Sequence, residues 1–450
     1  MEEMEELFAE LAKMIDSGEY IQLKKELNDM NPANIAEFFE QLSAEKQLFA
    51  FRLLTKDMAA EAFSYMDSDT QEHIVKSITD NEVRNIVDEM FLDDTVDFLG
   101  EAPANLVNKV LRNMDADKRN LVNQFLNYPD NSAGSIMTIE FVQFRADMTV
   151  AKAMEELRKT GLDKETVYTC YVLDASRILI GVLPLRTLIF AEDDMVISQL
   201  MEEDVISVQT LDDQEDIAYI FKKYNLISVP VVDKEGRMVG IITVDDIVDV
   251  IEQETTEDME KMSALLPSDE AYLKTSVVAL SKNRIVWLCV LMISGTLSGL
   301  VIGQYENLLE AAVVLSSFIP ILTGTGGNAG SQASTTIIRG MALGEIEISD
   351  IAKVLWKEIR VGLLCGSILG FVNLIRLTLF SSKTNFQVDF TISLSMCFVV
   401  VVAKGVGCML PIMAKALKFD PAIMAGPLIS TVVDVIALLI FFNIAKVLIL

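Results

Sequence analysis

Five apolar stretches in the second half of the chain, at about 284–304, 308–338, 354–380, 388–414 and 421–445, restrict its folding more than any other feature. Each holds the roughly 20 residues that a bilayer core requires, so five transmembrane helices are expected. The first half follows a different chemistry. Residues 1–273 carry 57 Asp and Glu against 24 Lys and Arg, a net of −33, whereas residues 274–450 carry 9 against 13. A polyanionic soluble part joined to a membrane part follows. Such charge disfavours nucleic acid, whose phosphates want the opposite sign. It suits metal cations or simply a solvated surface.

An odd number of spans places the two termini on opposite sides. Lys282, Arg284, Arg339, Lys353, Lys357, Arg360, Lys415 and Lys418 then fall on the cytoplasmic side and Lys383 and Lys446 outside, which agrees with N-in, C-out. The opening MEEMEELFAE lacks the basic and then apolar layout of a signal peptide, so a cytoplasmic N-terminus in a multi-pass plasma-membrane protein is expected.

The last apolar stretch, Pro421 to Ile444, contains a single charge, Asp434. A carboxylate inside a span costs several kcal/mol, roughly 2.5–3.5 on insertion scales, and such residues face an ion path, a watery cavity or a partner. The second stretch holds another anomaly, FIPILTGTGGNAGSQASTTIIRG, where Pro320 and the glycines at 324, 326, 327 and 330 are expected to interrupt an apolar helix. Asn328, Ser331, Gln332 and Thr335 offer neutral oxygens there, suited to the bound waters of an ion or to a polar helix–helix contact. Elsewhere Gly362, Gly366 and Gly370 form a GxxxGxxxG run. Ser294 with Ser298, or Gly295 with Gly299, forms a small-xxx-small pair, and both patterns predict close helix packing. With one His, five scattered Cys and no CxxC pair, any metal must be a hard cation held by oxygen.

The soluble half is repetitive. From Met30 to Tyr128 a 24-residue period of two 12-residue halves recurs, as in MNPANIAEFFEQL, LTKDMAAEAFSYM, ITDNEVRNIVDEM and APANLVNKVLRNM. Capping residues followed by apolar residues at helical spacing predict a small α-solenoid. Two copies of a β-α-β-β-α unit follow, containing VYTCYVLDASRILIGVLPLRTLI and LISVPVVDKEGRMVGIITVDDIVDV. Next comes an acidic stretch, VIEQETTEDMEKMSALLPSDEAYLKTS, in which Glu254, Glu257 and Asp258 fall on neighbouring helical turns. It reads either as a solvated linker or as a face that a cation would stabilise.

The duplicated β-rich unit resembles a pair of cystathionine-β-synthase (CBS) domains. In that family a Thr-x-x-Asp pattern holds a nucleotide, which Thr243 and Asp246 match in the second copy. The first copy reads Leu183-Pro184-Leu185-Arg186 instead, so the pattern admits ATP or another adenine nucleotide in the second copy alone. Pro-x-x-x-Gly-x-Gly-Gly-Asn-x-Gly-x-Gln from Pro320 to Gln332, then IIRGMALGEI and DPAIMAGPLISTVVDV, resemble the MgtE family of magnesium channels and transporters over essentially the whole chain.

The resemblance implies a multidomain protein. An N-terminal helical repeat domain covers 1–129, and a tandem CBS pair covers 130–252, its copies at about 136–198 and 199–252. An acidic connecting (plug) helix covers 253–280, and an all-α pore domain of five helices covers 281–450. It also implies a homodimer that carries Mg2+ and is no enzyme. Asp434 would bind the ion in the pore, lined by Asn328, Ser331, Gln332, Thr335 and Gly426, the last replacing an asparagine of some members. Cytosolic Mg2+ would close the pore through Asp93, Asp97, Asp213, Glu215, Asn225, Asp246, Asp249, Glu254, Glu257 and Asp258, with Asn225 standing where relatives have Asp. The alternatives are a less selective carrier of Mn2+, Co2+ or Ni2+ and a membrane-anchored nucleotide sensor.

Overall fold

The computed structural model describes residues 2–268, 272–273, 275–380 and 385–449. It divides into two compact units, Met1–Ile251 and Glu252–Leu450.

The first unit begins with ten helices: α1 (Glu2–Ser17), α2 (Tyr20–Asp29), α3 (Pro32–Glu40), α4 (Ala44–Phe51), α5 (Lys56–Ser64), α6 (Ser68–Ser77), α7 (Asp80–Glu89), α8 (Leu92–Glu101), α9 (Ala104–Asn113) and α10 (Ala116–Phe125). From α3 onward each starts 12 residues after the last. Odd-numbered helices pack mainly on odd-numbered ones and even on even, the expected solenoid with its 24-residue period. Caps set the starts: Asn31 accepts from the Ala33 amide at 3.0 Å, and Thr79 and Glu82 form a reciprocal capping box. Phe39, Phe51, Phe63 and Phe98 run through the core with successive ring centroids 6.4, 6.4 and 5.1 Å apart. Gln47 and Gln71, one period apart, are both buried. Each donates its amide to a backbone oxygen, of Phe39 and Phe63 respectively, at 2.8 Å.

Two three-stranded sheets follow. The first contains β1 (Phe141–Arg145), α11 (Val150–Thr160), β2 (Thr166–Leu173), β3 (Leu179–Pro184) and α12 (Leu185–Phe190). The second contains β4 (Val208–Gln209), α13 (Gln214–Tyr224), β5 (Ser228–Val232), β6 (Met238–Thr243) and α14 (Val244–Met262). In each sheet the first strand is parallel to the second and the second antiparallel to the third. The copies interlock through exchanged entry segments. Thr138, which precedes β1 of the first copy, pairs with Ile241 of β6 by two 2.8 Å hydrogen bonds, and Glu202, which precedes β4 of the second, pairs with Val182 of β3. Glycines 240 and 181 face these segments; a Cβ on Gly240 would lie 2.7 Å from the Thr138 oxygen. Tyr171 and Ser228 join the sheets by a buried 2.8 Å hydrogen bond.

α14 starts inside the second copy and stops at Met262, earlier than the connecting helix expected over 253–280. Ala264 takes a left-handed φ of 55°, and Pro267 follows and cannot continue a helical ladder. Residues 269–271 and 274 of that expected span lie outside the described residues.

The second unit continues with α15 (Val277–Gln304), the short α16 (Glu306–Ala311), α17 (Ile319–Ala342), α18 (Ile351–Phe380), α19 (Phe386–Ala416) and α20 (Gly426–Ile449). Length and composition mark Val277–Gln304, Ile348–Phe380, Phe386–Ala416 and Pro421–Ile449 as able to cross a bilayer. With the more polar α17, the long helices after α14 number five among the described residues. The stretch expected at 308–338 is divided between α16, a 3-10 turn over Val313–Phe318, and α17.

Contrary to the expected interruption, α17 runs unbroken through its glycines. Pro320 lies in its first turn, where no amide donor is needed. The glycines supply room: a Cβ on Gly326 would lie 2.8 Å from Val399 and 2.9 Å from Val433, and one on Gly330 would lie 2.8 Å from Ile429. Gly362, Gly366 and Gly370 do what their spacing predicts. Their Cβ positions would lie 2.9, 2.8 and 2.8 Å from backbone atoms of Val401, Cys397 and Ser393 on α19. Gly366→Leu is therefore expected to cost about 3 kcal/mol or to prevent α18 from seating; melting of the purified protein in detergent checks this. Among the described residues, a Cβ on Gly295 or Gly299 of α15 would meet nothing within 4 Å, so the close helix packing expected there is not seen.

Candidate functional site

Acidic side chains gather in the first unit between α8 and the start of α14. Asp93, Asp94 and Asp97 lie on α8, Asp245, Asp246 and Asp249 on α14, and Glu140 and Glu165 on the loops before β1 and β2. Burial, then Asp246 and Asp94, hold the Asp93 carboxyl well above the usual carboxylate range. Burial followed by Asp246 and Asp94 pushes Asp97 up to about 7, and burial followed by Asp245 raises Glu165 to about 7. Burial, opposed by a hydrogen bond from Thr243 and reinforced by Asp245, lifts Asp246 to about 6. Asp94 likewise reaches about 6 through burial and then Asp245. Lys118 is a nearby cation, its ammonium pulled down by burial and turned to the Met90 oxygen at 2.7 Å. Among the described residues no three His, Cys, Asp or Glu converge tightly enough to form a ready metal cage. The cluster is a diffuse anionic face, suited to a hydrated cation that spreads its charge over several carboxylates.

The remaining soluble candidates lie elsewhere. Asp213 caps α13 by accepting from the Glu215 amide at 2.9 Å, and Asn225 closes the other end with a left-handed φ of 51°. Eleven helical residues, about 16 Å, separate these ends. Asn225 has a sufficient local role, because asparagine tolerates that backbone better than most residues. Glu254, Glu257 and Asp258 occupy the later turns of α14. Lys261 bridges Glu257 at 2.6 Å to Asp420 at 2.7 Å, and burial, then Asp420, raises Asp258 to about 6. Asp420 is thus an acidic neighbour of the α14 carboxylates that the sequence reading did not single out.

In the second unit the α17 residues Asn328, Ser331, Gln332 and Thr335 line one cavity of about 790 Å³, together with Ala333, Thr336, Glu358, Val361 and Lys404. Asp434 and Gly426 are not among its lining residues. They reach α17 differently: Ser331 donates to the Gly426 oxygen at 3.5 Å and Ser334 to the Met424 oxygen at 3.1 Å, while Ser430, one turn before Asp434, packs on Gly327. Gly426 has a φ of 45°, and a Cβ there would collide with the Met262 oxygen, so its backbone carbonyl is what it can offer. Glu358 and Lys404 were missed because Asp434 was the one charge weighed within a span and the other charges only as markers of the span ends. Lys404 alone within FVVVVAKGVG was the available signal.

Along its full length the chain is 35% identical over 448 residues to a magnesium transporter of Thermus thermophilus, covering 99% of both proteins. It belongs to the MgtE family. Family models agree: an MgtE divalent cation transporter domain matches residues 319–444, an MgtE intracellular N domain 30–131, and CBS domains 133–194 and 197–253. A magnesium transporter of Bacillus subtilis is 29% identical over 445 residues, 98% of this chain and 97% of that protein. The crystal structure of the cytosolic domain of the Mg2+ channel MgtE in complex with ATP superposes with a TM-score of 0.52 at 34% identity, over 54% of this chain and 99% of that one. The MgtE architecture expected from the motifs is therefore the architecture present: helical repeats, two CBS sheets and a helical region able to cross a membrane.

Proposed function

We propose that this MgtE-family chain forms a homodimeric channel for hydrated Mg2+, held shut when cytosolic Mg2+ binds its acidic faces. The observation that carries the reading is the line of amide and hydroxyl groups Asn328, Ser331, Gln332 and Thr335 on α17, a helix that itself packs against the one bearing Asp434. Neutral oxygens with one carboxylate suit an ion that dehydrates reluctantly, and a site with few charges releases what it binds.

Exposure supports the dimer. Asn328, Gln332 and Thr335 are exposed on a single chain, and a polar face is unstable against lipid. A second copy related by a two-fold axis would turn that face inward and place two Asp434 carboxylates on one path. The N-terminal region lies in the cytoplasm in this reading and the C-terminus outside.

The control is electrostatic. Without divalent ions the carboxylates of α8 and α14 repel; with them the faces close, and α14 transmits the change toward Met262 and Gly426. Asp213, Glu215 and Asn225 at the ends of α13, and separately Glu254, Glu257 and Asp258 on the later turns of α14, are further candidates for cation sensing. ATP or a related nucleotide has a place at Thr243 and Asp246, whose 2.8 Å hydrogen bond already orients them. Asp246 would then be shared between nucleotide and cation.

Reconstituted vesicles test the whole reading. Uptake of Mg2+ is expected to exceed that of Ca2+ and Mn2+ and to fall as Mg2+ on the cytosolic side rises. Flux indifferent to cytosolic Mg2+ would remove the feedback, and equal flux of all three ions would make the protein a general divalent carrier.

A further inference from the structure

The cavity beside α17 contains a pair of opposite charges that transport by Asp434 does not use. Lys404 of α19 is 7% exposed, and the Glu358 side chain of α18 is 13% exposed. Their Nζ and Oε2 atoms stand 3.9 Å apart, beyond hydrogen-bonding distance, and both residues line the cavity of about 790 Å³. A pair whose only task was to tie α18 to α19 would close to about 2.8 Å and satisfy its donors and acceptors in place. This pair remains open to whatever occupies the cavity. Asn328, Ser331, Gln332, Thr335 and Thr336 surround it with neutral oxygens.

We propose that Glu358 is a second divalent-cation site on the ion path, kept weak by Lys404 acting as a tethered counter-ion. The inference rests on the transport reading above. A carboxylate facing an open-sided cavity rimmed by amides and hydroxyls is a donor set for a hydrated divalent ion, held through its waters. Left alone, Glu358 would hold that ion too long for conduction, since passage needs sites that bind weakly enough to release. Lys404 offsets most of the attraction. A lysine suits this task because its ammonium is a compact charge on a flexible stem, able to swing aside when an ion arrives. Asp434 does not line this cavity, so an ion meets two separate carboxylate positions.

Full-length Lys404→Met, Glu358→Gln and the double variant, reconstituted in vesicles, test this. Removing a full charge about 4 Å from a partly solvated carboxylate is expected to lower the half-saturating Mg2+ of Lys404→Met by about tenfold and to depress its saturating flux. Glu358→Gln should raise half-saturation, and the double variant should return toward the parent in both quantities. Mn2+ binding followed by electron paramagnetic resonance supplies a readout independent of flux: Lys404→Met gains a bound ion that the double variant lacks. Parental half-saturation in both single variants, together with unchanged Mn2+ stoichiometry, would overturn the proposal and make the pair a helix tether. If Lys404→Met does not fold, Glu358→Gln against the double variant decides the question: a raised half-saturation restored in the double supports it, and equal values refute it. Parental behaviour of these variants alongside a loss of flux in Asp434→Ala would sink this inference and leave the transport reading standing. Absence of flux in the unmodified protein would sink the transport reading, and the Mn2+ stoichiometry would still report on Glu358.

Discussion

Asp434→Ala is expected to lower Mg2+ flux through reconstituted protein by at least about a hundredfold, on the order of 3 kcal/mol of lost ion stabilisation. Asp434 is the one acidic residue of α20, and the neighbouring groups brought against α17 are neutral: Ser430, Ser331 and the Gly426 carbonyl. Nothing nearby on that helix supplies the missing charge. Asp434→Asn keeps shape and hydrogen-bonding capacity but not charge, so it separates attraction of the ion from mere positioning of its waters. A loss comparable to alanine assigns the effect to charge. Flux near the parent value in Asp434→Ala, in vesicles lacking other importers, would disprove a role for Asp434 in conduction.

A second large effect lies in the acidic face of α8 and α14. Asp94 and Asp246 reach about 6 and Asp97 and Glu165 about 7, all above their unfolded values near 4. Groups raised in this way support the packed arrangement fully below about pH 4, and that support is lost as pH climbs through 6 to 7 and the carboxylates ionise against one another. Between pH 5 and pH 8 without divalent ions, amide exchange in α8 and α14, corrected for its intrinsic pH dependence, should therefore increase. Mg2+ should suppress the increase strongly at pH 8 and weakly at pH 5, where protons already neutralise the cluster. Asp97→Asn with Asp246→Asn should flatten both the pH and the Mg2+ dependence. Exchange that is equal at the two pH values in chelator would mean that these carboxylates do not oppose packing.

Much of this molecule was legible because its patterns are local. A cap and an apolar residue every few positions define a helix without knowledge of its neighbours, so the 12-residue step gave the solenoid. The alternation of strand and turn likewise gave both CBS sheets. Gly362, Gly366 and Gly370 were readable as a packing stripe for the same reason, since three glycines four residues apart lie on one face of any helix. Interruption was the wrong inference for the glycines of α17. Glycine serves both breaks and close contacts, and only the positions of Val399, Val433 and Ile429 show which applies.

The sequence by itself determined the elements, their order, the division between a polyanionic soluble region and an apolar one, and the oxygen-only chemistry open to a metal. Tertiary structure alone decided which charges meet. Glu358 and Lys404 are 46 residues apart on different helices, Lys261 and Asp420 are 159 apart, and α8 and α14 are separated by a whole CBS copy. Electrostatic energy depends on distance and burial, and neither is encoded in the spacing within a single helix.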